Sequence, residues 1–213
     1  MTERSLPGRL PLAGRNALVV GAGGPYARLA AIALAEAGAR VSIATAAEVA
    51  AQETEANSIL NECWTLGRDG IVLRLDAADP AAVEAALDRV DREAGPLHLL
   101  VHAAPAGEEP DGTLAAATSA FVCIAAARRR IAGRADARVL YLIDAQGTAD
   151  AGGADREAAL DFAGALSEQT DDEAVAVQAL LVTRGTAPMV VRDALLTAST
   201  ADIAAPIVLV GAP

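Results

Sequence analysis

At 213 residues the chain fits one large domain or two small ones, and a hydrophobic share of 53% supports a sizeable core. A formal net charge of −11 argues against a nucleic-acid backbone as partner, and 2% aromatic residues leave little for base stacking. Cys63 and Cys123 match no zinc or redox spacing and read as reduced thiols of a cytoplasmic protein, and no apolar run reaches the roughly 18 residues of a membrane span.

In chain order, Met1–Ala13 reads as an N-terminal arm without the apolar core of a signal peptide. Asn16–Val20 reads as a strand and Pro25–Ala37 as a helix closed by Gly38. Arg40–Ala44 is a second strand, and Ala46–Leu66 a long helix ended by Gly67 and Gly70. Ile71–Leu75 follows as a strand. Asp79-Pro80 supplies an N-cap with proline at the first helical position, for a helix running to about Ala94. Gly95-Pro96 separates it from the strand Leu97–His102. Leu114–Ala132 is an alanine-rich helix and Arg138–Ile143 a strand. Asp155–Ser167 reads as a helix, Ala174–Val182 as a strand, Met189–Ala198 as a helix and Ile207–Val210 as a last strand. Continuous apolar strands alternating with helices imply right-handed βαβ units, a parallel sheet and helices on both faces. No linker or repeat interrupts the pattern, so residues 1–213 are expected to form a single domain.

After the first strand comes Val19-Val20-Gly21-Ala22-Gly23-Gly24-Pro25-Tyr26-Ala27, a glycine loop opening a helix. Such a loop cradles a pyrophosphate with backbone N–H groups and the helix dipole. With Leu12–Gly21, Ala35–Val41, Leu75–Pro80 and Gly95–Val101, it resembles the short-chain dehydrogenase/reductase family over nearly the whole chain. The resemblance implies a Rossmann-type, doubly wound parallel sheet of about seven strands in the order 3-2-1-4-5-6-7. It also implies NAD(P) as cofactor, held around Gly21, Gly23, Gly24, Tyr26, Thr45, Asp76, Ala77, Ala103 and Ala104.

Several departures weaken that cofactor site. Pro25 replaces the family's second glycine and has no N–H to offer a phosphate; Ala27 replaces the third. Thr45 stands where an acidic residue would bind the ribose diol, and no adjacent arginine points to a 2′-phosphate. The resemblance therefore implies NAD(P) binding that is weak or lost, with neither form of the cofactor favoured. Asp76 matches the family's adenine-contacting Asp and is equally suited to ending a strand. His102-Ala103-Ala104-Pro105 replaces the family's N-N-A-G; a histidine there either shuttles protons or only fills space with a hydrogen bond.

The family's chemistry uses an Asn, a Ser, a Tyr and a Lys that lowers the Tyr pKa, because an unassisted phenol near pKa 10 is a poor acid or base at neutral pH. All 17 basic residues of this chain are arginine. Aligned segments put Ala116 at the Asn, Asp144-Ala145 at the Ser, Gly153 at the Tyr and Glu157 at the Lys. Tyr26 and Tyr141 are the only tyrosines, and neither lies in a Y-x-x-x-K context. Asp144, Asp155, Glu157 and Asp161 could form a carboxylate site or be solvated surface acids. Arg128-Arg129-Arg130 could bind an anion or simply end a helix favourably. The segments Ala106–Thr113 and Thr183–Pro188 are shorter than the family's connection and substrate lid.

Three readings follow. One is a catalytically degenerate member acting as a nucleotide-binding, partner or scaffold subunit, forming a homo- or hetero-oligomer through 114–132 and 155–167. Another is an NAD(P)-dependent oxidoreductase of a carbonyl or hydroxyl substrate, with Asp144, His102 or water as a non-standard acid. The third is a trimmed or engineered version of such a domain.

Overall fold

The computed structural model describes residues 10–103, 110–134, 136–144, 161, 164–165, 175, 177–183, 185–201 and 207–211. Their elements run β1 (Asn16–Ala22), α1 (Ala27–Glu36), β2 (Arg40–Thr45), α2 (Ala50–Thr65), β3 (Val72–Leu73) and α3 (Pro80–Glu93). They continue β4 (Leu97–His102), α4 (Pro110–Ile131), β5 (Arg138–Asp144), β6 (Val177–Val182), α5 (Pro188–Thr200) and β7 (Ile207–Val210). Of the expected helix Asp155–Ser167, only Asp161, Gly164 and Ala165 fall among the described residues.

The seven strands form one parallel sheet in the order β3-β2-β1-β4-β5-β6-β7. The chain builds outward from β1 to β3, then crosses back to pair β4 with the other side of β1, Val19 opposite Val101. Strand order therefore reverses between β1 and β4, which opens a crevice beyond their carboxyl ends.

Each strand is apolar on both sides because helices cover both sides. On one face Val19, Ile43 and Val101 pack with Leu34 of α1, Ile59 of α2 and Leu195 of α5. On the other, Leu18, Leu100 and Val139 pack with Leu87 of α3 and Ile124 of α4. Alanine fills much of α1, where Ala27, Ala30 and Ala31 are fully buried. Small side chains let this helix lie close to the sheet.

Local chemistry sets the element ends. Asp79 caps α3 by accepting from the Ala81 amide at 2.9 Å, with Pro80 next. Gly38 turns the chain after α1 at φ +104°, a conformation costly for any other residue. The end of the expected arm is tied down there: the Leu12 amide donates to the Ala37 carbonyl at 2.9 Å, and Leu12 is buried.

Some boundaries differ from those read in the sequence. α1 begins at Ala27, two residues past Pro25, which sits in the preceding turn. α2 begins at Ala50 because residues 46–49 turn over the end of β2. β3 contracts to two residues, because hydroxyls of β2 hold the backbone on either side of it. Ser42 Oγ accepts from the Ile71 amide, and Thr45 Oγ1 bonds Leu75.

Candidate functional site

The crevice is rimmed by the ends of β1, β2, β3, β4 and β5. At the end of β1, Gly21 (φ +113°) and Gly23 (φ +92°) take conformations natural to glycine, and the Gly24 amide closes a turn on the Gly21 carbonyl at 2.9 Å. The strand runs on through Gly21 and Ala22. α1 then starts with Tyr26 as its N-cap, whose side chain makes no capping hydrogen bond, and no acidic residue lies in its first turn. The helix start therefore keeps backbone N–H groups and a positive dipole end facing the crevice, and this geometry fits a pyrophosphate. Pro25 is exposed in the loop.

The β2 side is arranged differently. Thr45 is fully buried; its hydroxyl donates to the Leu75 carbonyl at 2.9 Å and accepts from the Leu75 amide at 3.0 Å. This residue straps β2 to the chain after β3. Beyond it, the Ala46 and Ala47 amides both donate to Gln52 Oε1, at 2.8 and 3.0 Å. Arg74 reaches the same loop, donating to the Glu48 carbonyl at 3.0 Å and pairing with Glu53 at 3.4 Å. Sequence reasoning found no cation beside this position, because Arg74 arrives from the segment after β3. Asp76 is exposed and accepts from the Ala78 amide at 2.9 Å in an Asx turn, while the buried Ala77 donates to the Ala46 carbonyl.

At the end of β4, Ala103 is buried and its amide donates to the Val20 carbonyl at 2.8 Å. His102 is fully buried, with Nε2 2.8 Å from Ser119 Oγ of α4. Its Nδ1 has no hydrogen-bond partner among the described residues. Burial drives its pKa down to about 3, so the ring is neutral at physiological pH. Its ring meets Tyr141 of β5 edge-on, centroids 5.5 Å apart, and burial pushes that phenol up to about 12. Tyr26 Oη lies 3.4 Å from Asp144 Oδ1, so the loop after β1 touches the end of β5 across the crevice.

Ala116, the residue aligned in the sequence with the family's Asn, lies on α4 and carries only a methyl group. Ala104, Ala145, Gly153, Asp155 and Glu157 lie outside the described residues, so of the acidic group only Asp144 and Asp161 are placed. Arg129 and Arg130 are engaged with α3: Arg129 pairs with Glu84, and Arg130 with Glu84, Asp88 and Asp91. No group of three metal-ligating side chains occurs among the described residues, and none of their helices is long and apolar enough to cross a membrane.

A family model described as short chain dehydrogenase matches residues 15–122. The chain is 31% identical over 156 residues to an NADPH-dependent aldehyde reductase-like protein, chloroplastic, of Arabidopsis thaliana, covering 64% of this chain and 58% of that protein. It is 32% identical over 147 residues to a short-chain type dehydrogenase/reductase of Picea abies, covering 62% and 54%. This chain thus spans little more than half the length of these relatives. A short-chain type dehydrogenase/reductase from Mycobacterium marinum shares the fold at a TM-score of 0.68 and 19% identity, over 82% of this chain and 76% of that one. A short chain dehydrogenase from Burkholderia cenocepacia J2315, solved in complex with NADP, superposes at a TM-score of 0.66 with 27% identity, over 81% and 75%.

Proposed function

Because this chain belongs to the short-chain dehydrogenase/reductase family and has its NAD(P)-binding fold, we propose that it is a catalytically degenerate member that holds a nucleotide as a partner or scaffold subunit. The observation that carries this reading is the state of its phenols. The family's acid is a tyrosine made acidic by a lysine. This chain has no lysine, and both its tyrosines are only 8% exposed. Tyr141 is further disabled by burial, which raises its pKa to about 12. Tyr26 Oη is engaged with Asp144, and no lysine exists to make either phenol acidic.

The residues that would hold a dinucleotide are the backbone of Gly21–Gly24 and the start of α1, for the pyrophosphate. When bound, such a cofactor supplies hydride chemistry. This chain's contribution is limited to binding and orienting it, since Asp144 faces Tyr26 and His102 is neutral and enclosed. The partner surface is proposed to include α4, where Phe121 is 43% exposed.

Calorimetric titration with NADH and NADPH, run beside a turnover assay with a panel of carbonyl substrates, tests the reading. Saturable binding without turnover is expected. Turnover by the purified chain alone overturns the degenerate assignment. Sedimentation analysis tests the oligomer: a dimer that dissociates on Phe121→Glu is expected, and a wild-type monomer refutes it.

A further inference from the structure

The turn after β2 presents two successive backbone N–H groups, Ala46 and Ala47, at the place where folds of this kind hold the adenosine ribose. Both point at a single acceptor, Gln52 Oε1, at 2.8 and 3.0 Å. Helix capping does not explain this contact. Gln52 is the third residue of α2, and a capping glutamine there would bond the amide of the cap itself, Val49. Instead it passes Val49 and lands on the end of β2. The same side chain also crosses to the glycine loop: a Cβ on Gly23 would lie 3.2 Å from Gln52 Cγ. One half-buried glutamine therefore spans the gap between the loops after β1 and β2.

We propose that Gln52 is a self-ligand, an internal occupant of the ribose end of the crevice that any nucleotide must displace. This rests on the nucleotide-binding reading above. The two amides take either Gln52 or a ligand oxygen. A ribose hydroxyl offers bonds no stronger than those of the carboxamide it removes. A phosphate on the ribose brings full negative charge, and charge-assisted hydrogen bonds are roughly twice as strong as neutral ones. The Arg74 guanidinium already lies on this loop, at the Glu48 carbonyl. Glu53 is paired with Arg74 and is the opposing charge that an incoming phosphate meets. Gln52 thus sets the same threshold for every nucleotide, and a ribose phosphate, through its charge on the two amides and Arg74, is the group equipped to clear it.

Adenosine 5′-monophosphate and adenosine 2′,5′-bisphosphate probe this end alone. Wild type should prefer the bisphosphate. Gln52→Ala, which frees both amides, should bind both probes about tenfold more tightly, the scale of two neutral hydrogen bonds no longer in competition. Gln52→Glu keeps the side-chain length and puts a carboxylate on the same amides, so bisphosphate binding should fall below wild type. Without ligand, hydrogen exchange at the Ala46 and Ala47 amides should be faster in Gln52→Ala than in wild type. Measurable binding with equal affinity in wild type and Gln52→Ala overturns the self-ligand and leaves nucleotide binding standing. Failure of all three proteins to bind either probe, NADH or NADPH overturns both.

Discussion

Thr45 separates a strap from a ligand-binding residue. Its hydroxyl links the end of β2 to Leu75, and it serves that backbone as donor and as acceptor. Thr45→Val removes the hydroxyl but keeps the shape. The Leu75 amide and carbonyl then lose their partner beside a side chain with no exposure. An unsatisfied buried donor or acceptor costs about 1–3 kcal/mol, and two of them, offset by valine's extra apolar surface, come to about 3 kcal/mol. In a chain of this length that lowers Tm by about 6–12 °C. Thr45→Ser keeps both bonds and loses one methyl, for about 1 kcal/mol. Urea unfolding followed by far-UV circular dichroism should show a lower midpoint for Thr45→Val at unchanged slope. If Thr45→Val is no less stable than Thr45→Ser but binds nucleotide more weakly, the hydroxyl faces a ligand and the strap is wrong.

His102 gives stability a pH dependence of known sign. Burial holds its folded pKa at about 3 against an ordinary 6.5, so between those values the unfolded chain binds one more proton and stability rises with pH. Its contribution is complete above pH 6.5 and should be about 2 kcal/mol lower at pH 5. His98, also lowered by burial, acts in the same direction, so the slope to measure is the one lost in His102→Asn. Unchanged pH dependence in that variant would contradict the enclosed neutral ring. Gly70→Ala should destabilise by about 3 kcal/mol in the same urea assay, since its Cβ would overlap the Val41 carbonyl of β2. Gly67→Ala has open space and should lose only the about 1–2 kcal/mol of a left-handed backbone at φ +72°; equal losses at the two glycines would refute the close approach. Arg130→Met should loosen α3 from α4 by about 1 kcal/mol, less at high salt, and a salt-independent loss would point to packing instead.

The strands were legible because their signals are local, and their order because the chain resembles a family whose sheet order is fixed. Short, mostly apolar runs such as Leu97–Val101, bounded by Gly95-Pro96, read as strands covered on both faces, and Asp79-Pro80 announces α3 within two residues. The glycine loop was legible for the same reason. The β2 side of the crevice was not. Thr45 reads as a lost ribose ligand until Leu75, 30 residues away, is seen on its hydroxyl. Arg74 is invisible as a neighbour of Glu48 because it lies 26 positions away in the chain. Gln52 offered a weak signal: a polar acceptor in the first turn of a helix that follows two uncapped amides. In the sequence His102 reads as either shuttle or filler; its burial, the Ser119 contact and the edge-on Tyr141 ring describe its surroundings.

The brevity of β3 bears on how this protein behaves in crowded solution. The outer strand of a sheet is a template onto which a foreign strand can add, and long, flat outer strands seed aggregation. Here that template is two residues, Val72–Leu73, because Ser42 and Thr45 pin the flanking backbone with hydroxyls rather than extending the ladder. Arg74 places an exposed charge directly beside it. The hydroxyl strap that shapes the ribose end thus also blunts this margin of the sheet against addition of another chain.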